Sequence, residues 1–134
     1  MEACYNLDGF DEGFDWVTER AACTVNSVFE SLYIEIKSDV ELANGKRKQQ
    51  FGVNRNGGVI TVFQENSSPP RSVAFGISGV VIFAEDSRSR KRTEATLTLN
   101  DKGKCRLKVG DLERERWQFR KDALEDLFFG EWFN

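Results

Sequence analysis

The chain has 134 residues, of which 40% are hydrophobic and 31% are charged, and its formal net charge at pH 7 is -3. This length is near the commonest size of one domain and suffices for a hydrophobic core without metals or disulfides. The sequence contains no histidine, which excludes Ser-His and Cys-His nucleophile pairs and imidazole metal sites. We therefore predict a single domain, residues 1–134, that is not an enzyme and has no cofactor or metal.

The three cysteines, Cys4, Cys23 and Cys105, are odd in number and widely spaced. They match neither a disulfide framework nor a C-x-x-C motif. Cys23 is predicted to be a buried structural cysteine rather than a thiol activated by Arg20. The N-terminal residues lack the apolar region of a secretory signal, and the longest apolar run, residues 80–84, is too short to span a bilayer. These features predict a cytoplasmic protein that does not contact a membrane.

Residues 14–44 contain no proline, and apolar side chains recur at steps of three and four residues. These positions are Val25, Val28, Phe29, Leu32, Ile36, Val40 and Ala43. Such spacing lines one face of a helix, so we predict an amphipathic helix over about residues 14–44 that ends at Asn44-Gly45. Its start is open, because Asp15 would cap a first turn whereas Thr24 would cap a second helix after a break near Cys23.

Residues 49–109 change to an alternation of apolar and polar side chains, interrupted by turn sequences, which is typical of antiparallel strands. Asn56-Gly57-Gly58 and Ser78-Gly79 predict two hairpins, and adjacent prolines predict a loop around residues 66–70. With a further hairpin over residues 93–109, about six strands are expected.

The last predicted hairpin has the best-defined register. If Gly103 adopts a left-handed conformation in a three-residue turn, Thr98 lies opposite Arg106 and Thr96 lies opposite Lys108. All apolar side chains of the hairpin then lie on one face, and a slip of one residue would mix the two faces.

Five basic residues on or beside the polar face of that hairpin are candidate anion-binding residues: Lys91, Arg92, Lys104, Arg106 and Lys108. A basic stripe can follow a phosphate backbone. However, the face carries no aromatic residue for base stacking, and the sequence pI is about 5.1. Basic side chains that protect an exposed edge strand from aggregation are the favoured interpretation, so nucleic acid is not the favoured partner.

Charge is distributed unevenly along the chain. Residues 1–45 contain ten acids and two bases, residues 46–110 five acids and thirteen bases, and residues 111–134 seven acids and four bases. One interpretation is that acidic helices lie against basic strands, within one chain or across a dimer.

The C-terminal part of the chain predicts a second helix over about residues 113–129, ended by Gly130. Its helically spaced apolar residues are Trp117, Leu124, Leu127 and Phe128. Trp117 and Phe128 are assigned to the core. The remaining aromatic residues Phe129, Trp132 and Phe133 are a candidate partner interface, because aromatic side chains are favoured interface anchors.

The order of elements predicts an α+β fold, in which a long N-terminal helix packs on an antiparallel meander of about six strands and a C-terminal helix closes the structure. Residues 59–64 and 80–85 are apolar on both strand faces, and one helical layer covers only one of them, which predicts a homodimer. We predict a non-catalytic protein-interaction module, of the chaperone, adaptor or inhibitor type. The alternatives are polyanion binding by the basic hairpin and small-ligand binding in a helix–sheet cavity.

Overall fold

The computed structural model describes residues 15–67 and 70–130. Among these residues, seven strands form one antiparallel meander in chain order. The strands are β1 (Phe51–Asn56), β2 (Val59–Gln64), β3 (Arg71–Ser78), β4 (Val81–Asp86), β5 (Arg92–Leu99), β6 (Cys105–Val109) and β7 (Leu112–Arg114). The helices are α1 (Trp16–Ala22), α2 (Val25–Lys46) and α3 (Arg116–Phe129). The predicted α+β class, with a helix before and after an antiparallel meander, is confirmed.

The N-terminal helical region is divided into α1 and α2, and both predicted caps are used. The carboxylate of Asp15 accepts hydrogen bonds from the hydroxyl and backbone N–H of Thr18, which lower the pKa of Asp15. The hydroxyl of Thr24 accepts a bond from the backbone N–H of Ser27 at 3.2 Å. Cys23 lies between the two helices with a non-helical backbone, so one continuous helix over residues 14–44 does not form.

The end of α2 differs from the prediction. Gly45 lies within the helix, and the final bond joins the N–H of Arg47 to the carbonyl of Ala43. The side chain of Asn44 instead holds the first strand: its Nδ2 donates to the carbonyl of Phe51 at 3.0 Å, and its Oδ1 accepts from the N–H of Phe51 at 2.7 Å. An amide side chain can satisfy both backbone groups of one residue, since it has a donor and an acceptor.

The last large hairpin has the predicted register. Thr96 pairs with Lys108, Thr98 pairs with Arg106, and Gly103 has φ 76°. However, β7 pairs with β6 at Leu107, Lys108 and Val109, so Lys108 does not lie on an edge strand and the edge-strand interpretation is wrong for that residue. β7 was predicted as part of the C-terminal helix, because three residues are too few for a strand periodicity to be read.

The core lies between the inner face of the sheet and helices α2 and α3. The predicted stripe of α2 is buried from Val28 onward, and α3 adds Phe119, Leu124, Leu127 and Phe128. The rings of Phe119 and Phe75 pack edge to face, with centroids 6.2 Å apart, as do those of Phe128 and Phe51 at 4.9 Å. These contacts fix the position of α3 on the inner face of the sheet.

Trp117 is 52% exposed, so its assignment to the core is wrong. It lies in the first turn of α3, at the border of the buried face, where it lines a groove between α2 and α3. Helical spacing identifies the side of a helix on which a residue lies, but it does not report whether a neighbouring element covers that residue.

The outer face of the sheet is covered in part by its own aromatic rings. Gly52 pairs with Phe63, and Gly76 pairs with Phe83. A Cβ atom at either glycine would lie 2.5 Å from the Cζ of the paired ring, so each ring lies over a glycine backbone. The guanidinium of Arg92 lies 3.9 Å from the centroid of Phe83. The rings therefore shield the backbone at Gly52 and Gly76, and Arg92 shields part of the ring of Phe83.

Arg71, the first residue of β3, connects β3 with the end of β4 and with α3. Its side chain is 3% exposed, and its Nη2 lies 2.8 Å from a carboxylate oxygen of Asp126 and 3.2 Å from one of Asp86. Asp86 is at the end of β4, and Asp126 is in the last turns of α3. Because the guanidinium is buried, removal of these carboxylates is expected to be costly.

Cys23 and Cys105 form a disulfide that joins the segment between α1 and α2 to the start of β6, 82 positions later in the chain. The prediction of free cysteines is wrong for this pair, and Cys23 is not a free thiol beside Arg20. Wide spacing in sequence says nothing about distance in a fold, which alone decides whether two cysteines can bond. Cys4 lies outside the described residues.

None of the described helices has the length and apolar character needed to cross a membrane. Within residues 15–67 and 70–130, no group of three or more metal-ligating side chains occurs.

Candidate binding groove between α2 and α3

An open groove with a volume of about 370 Å³ runs between α2 and α3. The residues that line it are Asp39, Leu42, Ala43, Lys46, Trp117, Arg120, Lys121, Leu124, Glu125, Phe128 and Phe129. Its floor is apolar, since Ala43, Leu124 and Phe128 are buried members of the core. The groove is therefore an opening through which the hydrophobic core reaches the surface.

Three large apolar side chains stand around this floor. Leu42 is 61% exposed, Trp117 is 52% exposed and Phe129 is 50% exposed. Single exposed apolar residues are normal on soluble proteins, but a contiguous group with a polar rim marks an interaction site. Tryptophan and other aromatic residues are also over-represented among the residues that dominate binding energies.

An ion-pair cluster on one rim holds the two helices together. Arg120 donates from Nε to Asp39 at 2.6 Å and from Nη1 to Glu35 at 2.8 Å. Arg116 donates to the same Glu35 at 2.9 Å, and these hydrogen bonds raise the pKa of Arg116 above its ordinary value. The charges of this rim are thus compensated within the protein, and its geometry is set by bidentate guanidinium contacts.

The end of the groove near the C-termini of α2 and α3 is cationic. Lys121 is paired with Glu125 at 2.9 Å, whereas Lys46 has no ion pair within the described part of the chain. The guanidinium of Arg47 lies 5.3 Å from the ring centroid of Phe129, and Lys48 is exposed. A negative group bound at this end would lie close to these cations. The same cations also interact favourably with the negative end of the helix dipole.

The groove combines apolar side chains with charged side chains at its rim. Its two carboxylates are both engaged, Asp39 with Arg120 and Glu125 with Lys121. The arrangement supplies apolar area, fixed charges at the rim and a cationic end.

Of the three predicted interface residues, Phe129 lines the groove. Trp132 and Phe133 lie outside the described residues. Leu42 was not predicted from the sequence as a site residue, and Trp117 was misplaced. The sequence does show that Leu42 is an apolar residue outside the buried stripe of α2. An apolar residue on the polar side of an amphipathic helix is a candidate for a surface binding site.

The predicted anion-binding residues lie around β5 and β6, but acids lie among them. Arg92 contacts Glu94 at 2.9 Å and Glu85 at 3.4 Å, in addition to the ring of Phe83. Lys91 is exposed in the turn before β5. The guanidinium of Arg92 is therefore already engaged on the outer face of the sheet.

The basic residues of β6 show a similar mixture of charge. The Nη2 of Arg106 lies 4.0 Å from a carboxylate oxygen of Glu115, and Lys108 pairs with Glu113 of β7 in the strand register. Lys104 stands at the end of the hairpin turn, where its N–H donates to the side chain of Asn100. The structure brings these residues onto one region of the sheet but does not form an uninterrupted basic stripe.

The proposed pairing of acidic helices with basic strands occurs between Arg71 of β3 and Asp126 of α3, and again between β1 and α2. Arg55 of β1 donates to both carboxylate oxygens of Glu30 of α2, at 2.9 Å and 2.7 Å, and these bonds lower the pKa of Glu30. The larger cluster joins the two helices instead, through Glu35 and Asp39.

No family model matches this chain, and neither a curated protein nor a solved structure matches it.

Proposed function

We propose that this protein is a non-catalytic protein-interaction module that binds an amphipathic helix of a partner protein in the groove between α2 and α3. The observation that carries the proposal is the joint exposure of Leu42, Trp117 and Phe129 around an apolar floor. An amphipathic helix in a hydrophobic groove is a recurrent mode of recognition, in which side chains at i, i+3 or i+4, and i+7 act as anchors.

The dimensions of the groove support a helix as the occupant. Trp117 and Phe129 stand twelve positions apart on α3, which corresponds to about 18 Å at a rise of 1.5 Å per residue. About three turns of a partner helix span that length, and they present three or four apolar anchors. A third helix lying over the seam would bury the exposed apolar side chains of both α2 and α3.

The charges around the groove define the chemistry of the partner further. Lys46 and Lys48 lie at the end where α2 terminates, and the nearby rim carboxylates are already paired. Complementary potentials across an interface set orientation and exclude wrong partners. The partner helix is therefore expected to have an apolar stripe with acidic residues at the end that lies beside Lys46.

A display library of short helical peptides with randomised surface positions tests this proposal. Selection against the full chain should enrich peptides that combine an apolar stripe at helical spacing with acids at one end. The affinity of a selected peptide is then measured by fluorescence, with Trp16→Phe and Trp132→Phe making Trp117 the sole tryptophan. Binding should shift the Trp117 emission to shorter wavelength, because the indole leaves water.

Two matched variants locate the binding surface. Leu42→Asp should raise the Kd at least tenfold, which corresponds to about 1.4 kcal/mol. Ile34→Asp is the control, since Ile34 is 64% exposed on the same helix but does not line the groove. The groove is rejected as the binding site if no peptide is enriched on the wild type relative to the Leu42→Asp protein. It is also rejected if Leu42→Asp and Ile34→Asp raise the Kd equally.

The predicted homodimer is a separate proposal, in which the partner is a second copy of this chain. The groove is bordered by three exposed apolar side chains, and it is the surface that we propose for a second copy. Sedimentation of the wild type and of Leu42→Asp distinguishes the cases. A wild-type dimer that becomes monomeric on substitution would assign the groove to a second copy, whereas a wild-type monomer would exclude the homodimer.

Polyanion binding remains the alternative because Arg106 and Lys108 lie on one face of β6 and Lys104 lies in the turn before them. Replacing all three with alanine should weaken binding of single-stranded DNA and reduce the salt dependence of that binding, if the face follows a phosphate backbone. An unchanged affinity would exclude this alternative.

The predicted cytoplasmic location is also a proposal, and the disulfide weakens it, because lasting disulfides are typical of oxidising compartments. Alkylation of free thiols in intact cells before lysis decides the point. Modification of Cys23 and Cys105 in cells would support a reducing compartment, and protection of both would contradict it.

A further inference from the structure

Within the described part of the chain, helix α1 is held to the other elements by few contacts. None of its seven residues, Trp16–Ala22, is buried, and Trp16 and Val17 are 67% and 55% exposed. A helix of this length is not stable in water by itself, since helix formation has a costly nucleus. The conformation and position of α1 therefore depend on its links to the sheet.

Two links between the α1 segment and the sheet end on the same residue of β6. Cys23, which directly follows α1, is bonded to Cys105 through the disulfide. Within α1, the Oε2 of Glu19 accepts a hydrogen bond from the backbone N–H of Cys105 at 2.7 Å. A hydrogen bond to a charged carboxylate is stronger than one between neutral groups.

The residue that receives these links lies at an unpaired part of the sheet edge. β7 pairs with β6 only at Leu107, Lys108 and Val109. Because backbone groups alternate along a strand, the next residue of β6 that faces this edge beyond Leu107 is Cys105. Glu19 thus bonds an N–H group that a longer β7 would have bonded. Unpaired edge groups of this kind are a template for pairing with another strand.

We infer that the Cys23–Cys105 disulfide is a redox latch, which keeps α1 over the β6 edge when oxidised and releases it when reduced. A dithiol reductant supplies two electrons and two protons: one of its thiolates attacks a sulfur of the bond, and its second thiol resolves the mixed disulfide. Cys23 and Cys105 leave as thiols, and the reductant leaves as a cyclic disulfide. The β6 edge at Cys105 then becomes accessible to an extended strand. This inference does not depend on the groove between α2 and α3.

The effect of reduction is local because α1 contributes no side chain to the core. The buried side chains of the core belong to α2, α3 and the sheet. Once the disulfide is opened, the hydrogen bond from the Cys105 N–H to Glu19 remains as the described link of α1 to the sheet, and it competes with water at both ends. The helix therefore frays while the sheet and the groove keep their structure.

Amide hydrogen exchange of the oxidised and dithiothreitol-reduced full chain tests the latch. The Cys4→Ser background prevents this third cysteine from reshuffling the bond. Reduction should increase the exchange rates of residues 16–22 and of the Cys105 amide at least tenfold, and it should leave the central strands β2, β3 and β4 unchanged. Reoxidation should restore the slow exchange.

A second readout uses trypsin, which cleaves after Arg20 inside α1. Cleavage there should be faster in the reduced protein and in the Cys23→Ser variant, and slow in the oxidised protein. Unchanged exchange of α1 after reduction would overturn the inference, because the disulfide would then not be what holds the helix. Faster exchange of the central strands as well would also overturn it, since the bond would then support the whole fold.

Discussion

The cover of the outer sheet face can be tested by a single methyl group at Gly76. In Gly76→Ala, the new Cβ would lie 2.5 Å from Cζ and 2.8 Å from Cε2 of Phe83. Non-bonded carbon atoms prefer separations of about 3.5–4.0 Å, so the ring has to move by about 1 Å. The guanidinium of Arg92, 3.9 Å from the ring centroid, is displaced with it.

The expected magnitude follows from two opposing effects. Insertion of a methyl group into a well-packed site costs about 1–3 kcal/mol. Replacement of glycine by alanine returns about 0.5–1 kcal/mol, because the unfolded chain loses conformational freedom. The free energy of unfolding of Gly76→Ala should therefore fall by about 0.5–2 kcal/mol. Gly45→Ala is the matched control, since a Cβ added at this position of α2 would have no atom within 4 Å, and it should raise stability by about 0.5–1 kcal/mol.

Urea unfolding followed by circular dichroism measures these changes, with the midpoint and slope giving the free energy of unfolding. The decisive comparison is a double-mutant cycle with Phe83→Ala. Without the ring, Gly76→Ala should no longer destabilise the protein, so the coupling energy between the two positions should be about 1–3 kcal/mol. If Gly76→Ala costs the same with and without Phe83, the account of the ring over the glycine is wrong.

Three further predictions concern the core and its polar contacts, each measured as the free energy of unfolding in urea. Leu32→Ala should cost about 2–5 kcal/mol, because Leu32 is fully buried in the core. Asn44→Ala should cost about 1–3 kcal/mol, since it leaves the N–H and carbonyl of Phe51 without their partner; a loss below about 0.5 kcal/mol would contradict the role given to this amide. For Asp86, partial burial raises the pKa, but hydrogen bonds from the following turn and from Arg71 outweigh it, and the net pKa is lowered. A lowered folded pKa stabilises the protein above the unfolded pKa of about 3.9 and ceases to do so as the pH falls through the folded value. Stability measured from about pH 5 down to about pH 2 should thus fall less in Asp86→Asn than in the wild type, and equal slopes would refute the assignment.

Elements with a strong internal pattern were predictable. The buried stripe of α2 is visible as apolar residues at steps of three and four, and burial of its members from Val28 onward agrees with it. The pairing of β5 with β6 follows from Gly103 and from the separation of apolar and basic faces. In both cases the information is local, because side-chain periodicity and turn conformation depend on neighbours in the chain.

Features that depend on contacts between distant segments were not predictable from periodicity. Trp117 has the spacing of a core residue, yet it stays half exposed, and with Leu42 it forms the wall of the groove. The cover of Phe83 over Gly76 requires the register of β3 with β4, and it is invisible in either strand alone. The candidate site consists mainly of such residues, because a surface groove exists only where two packed elements leave a gap.

The sequence by itself determined the α+β class, the buried face of α2, the order of the strands and the absence of histidine chemistry. The tertiary structure alone decided that Cys23 meets Cys105, that two rings lie over glycines on the outer sheet face, and that the space between α2 and α3 stays open. The physical reason is that hydrophobic periodicity encodes which side of an element is buried, whereas a bond, a cover or a gap depends on the distance between elements.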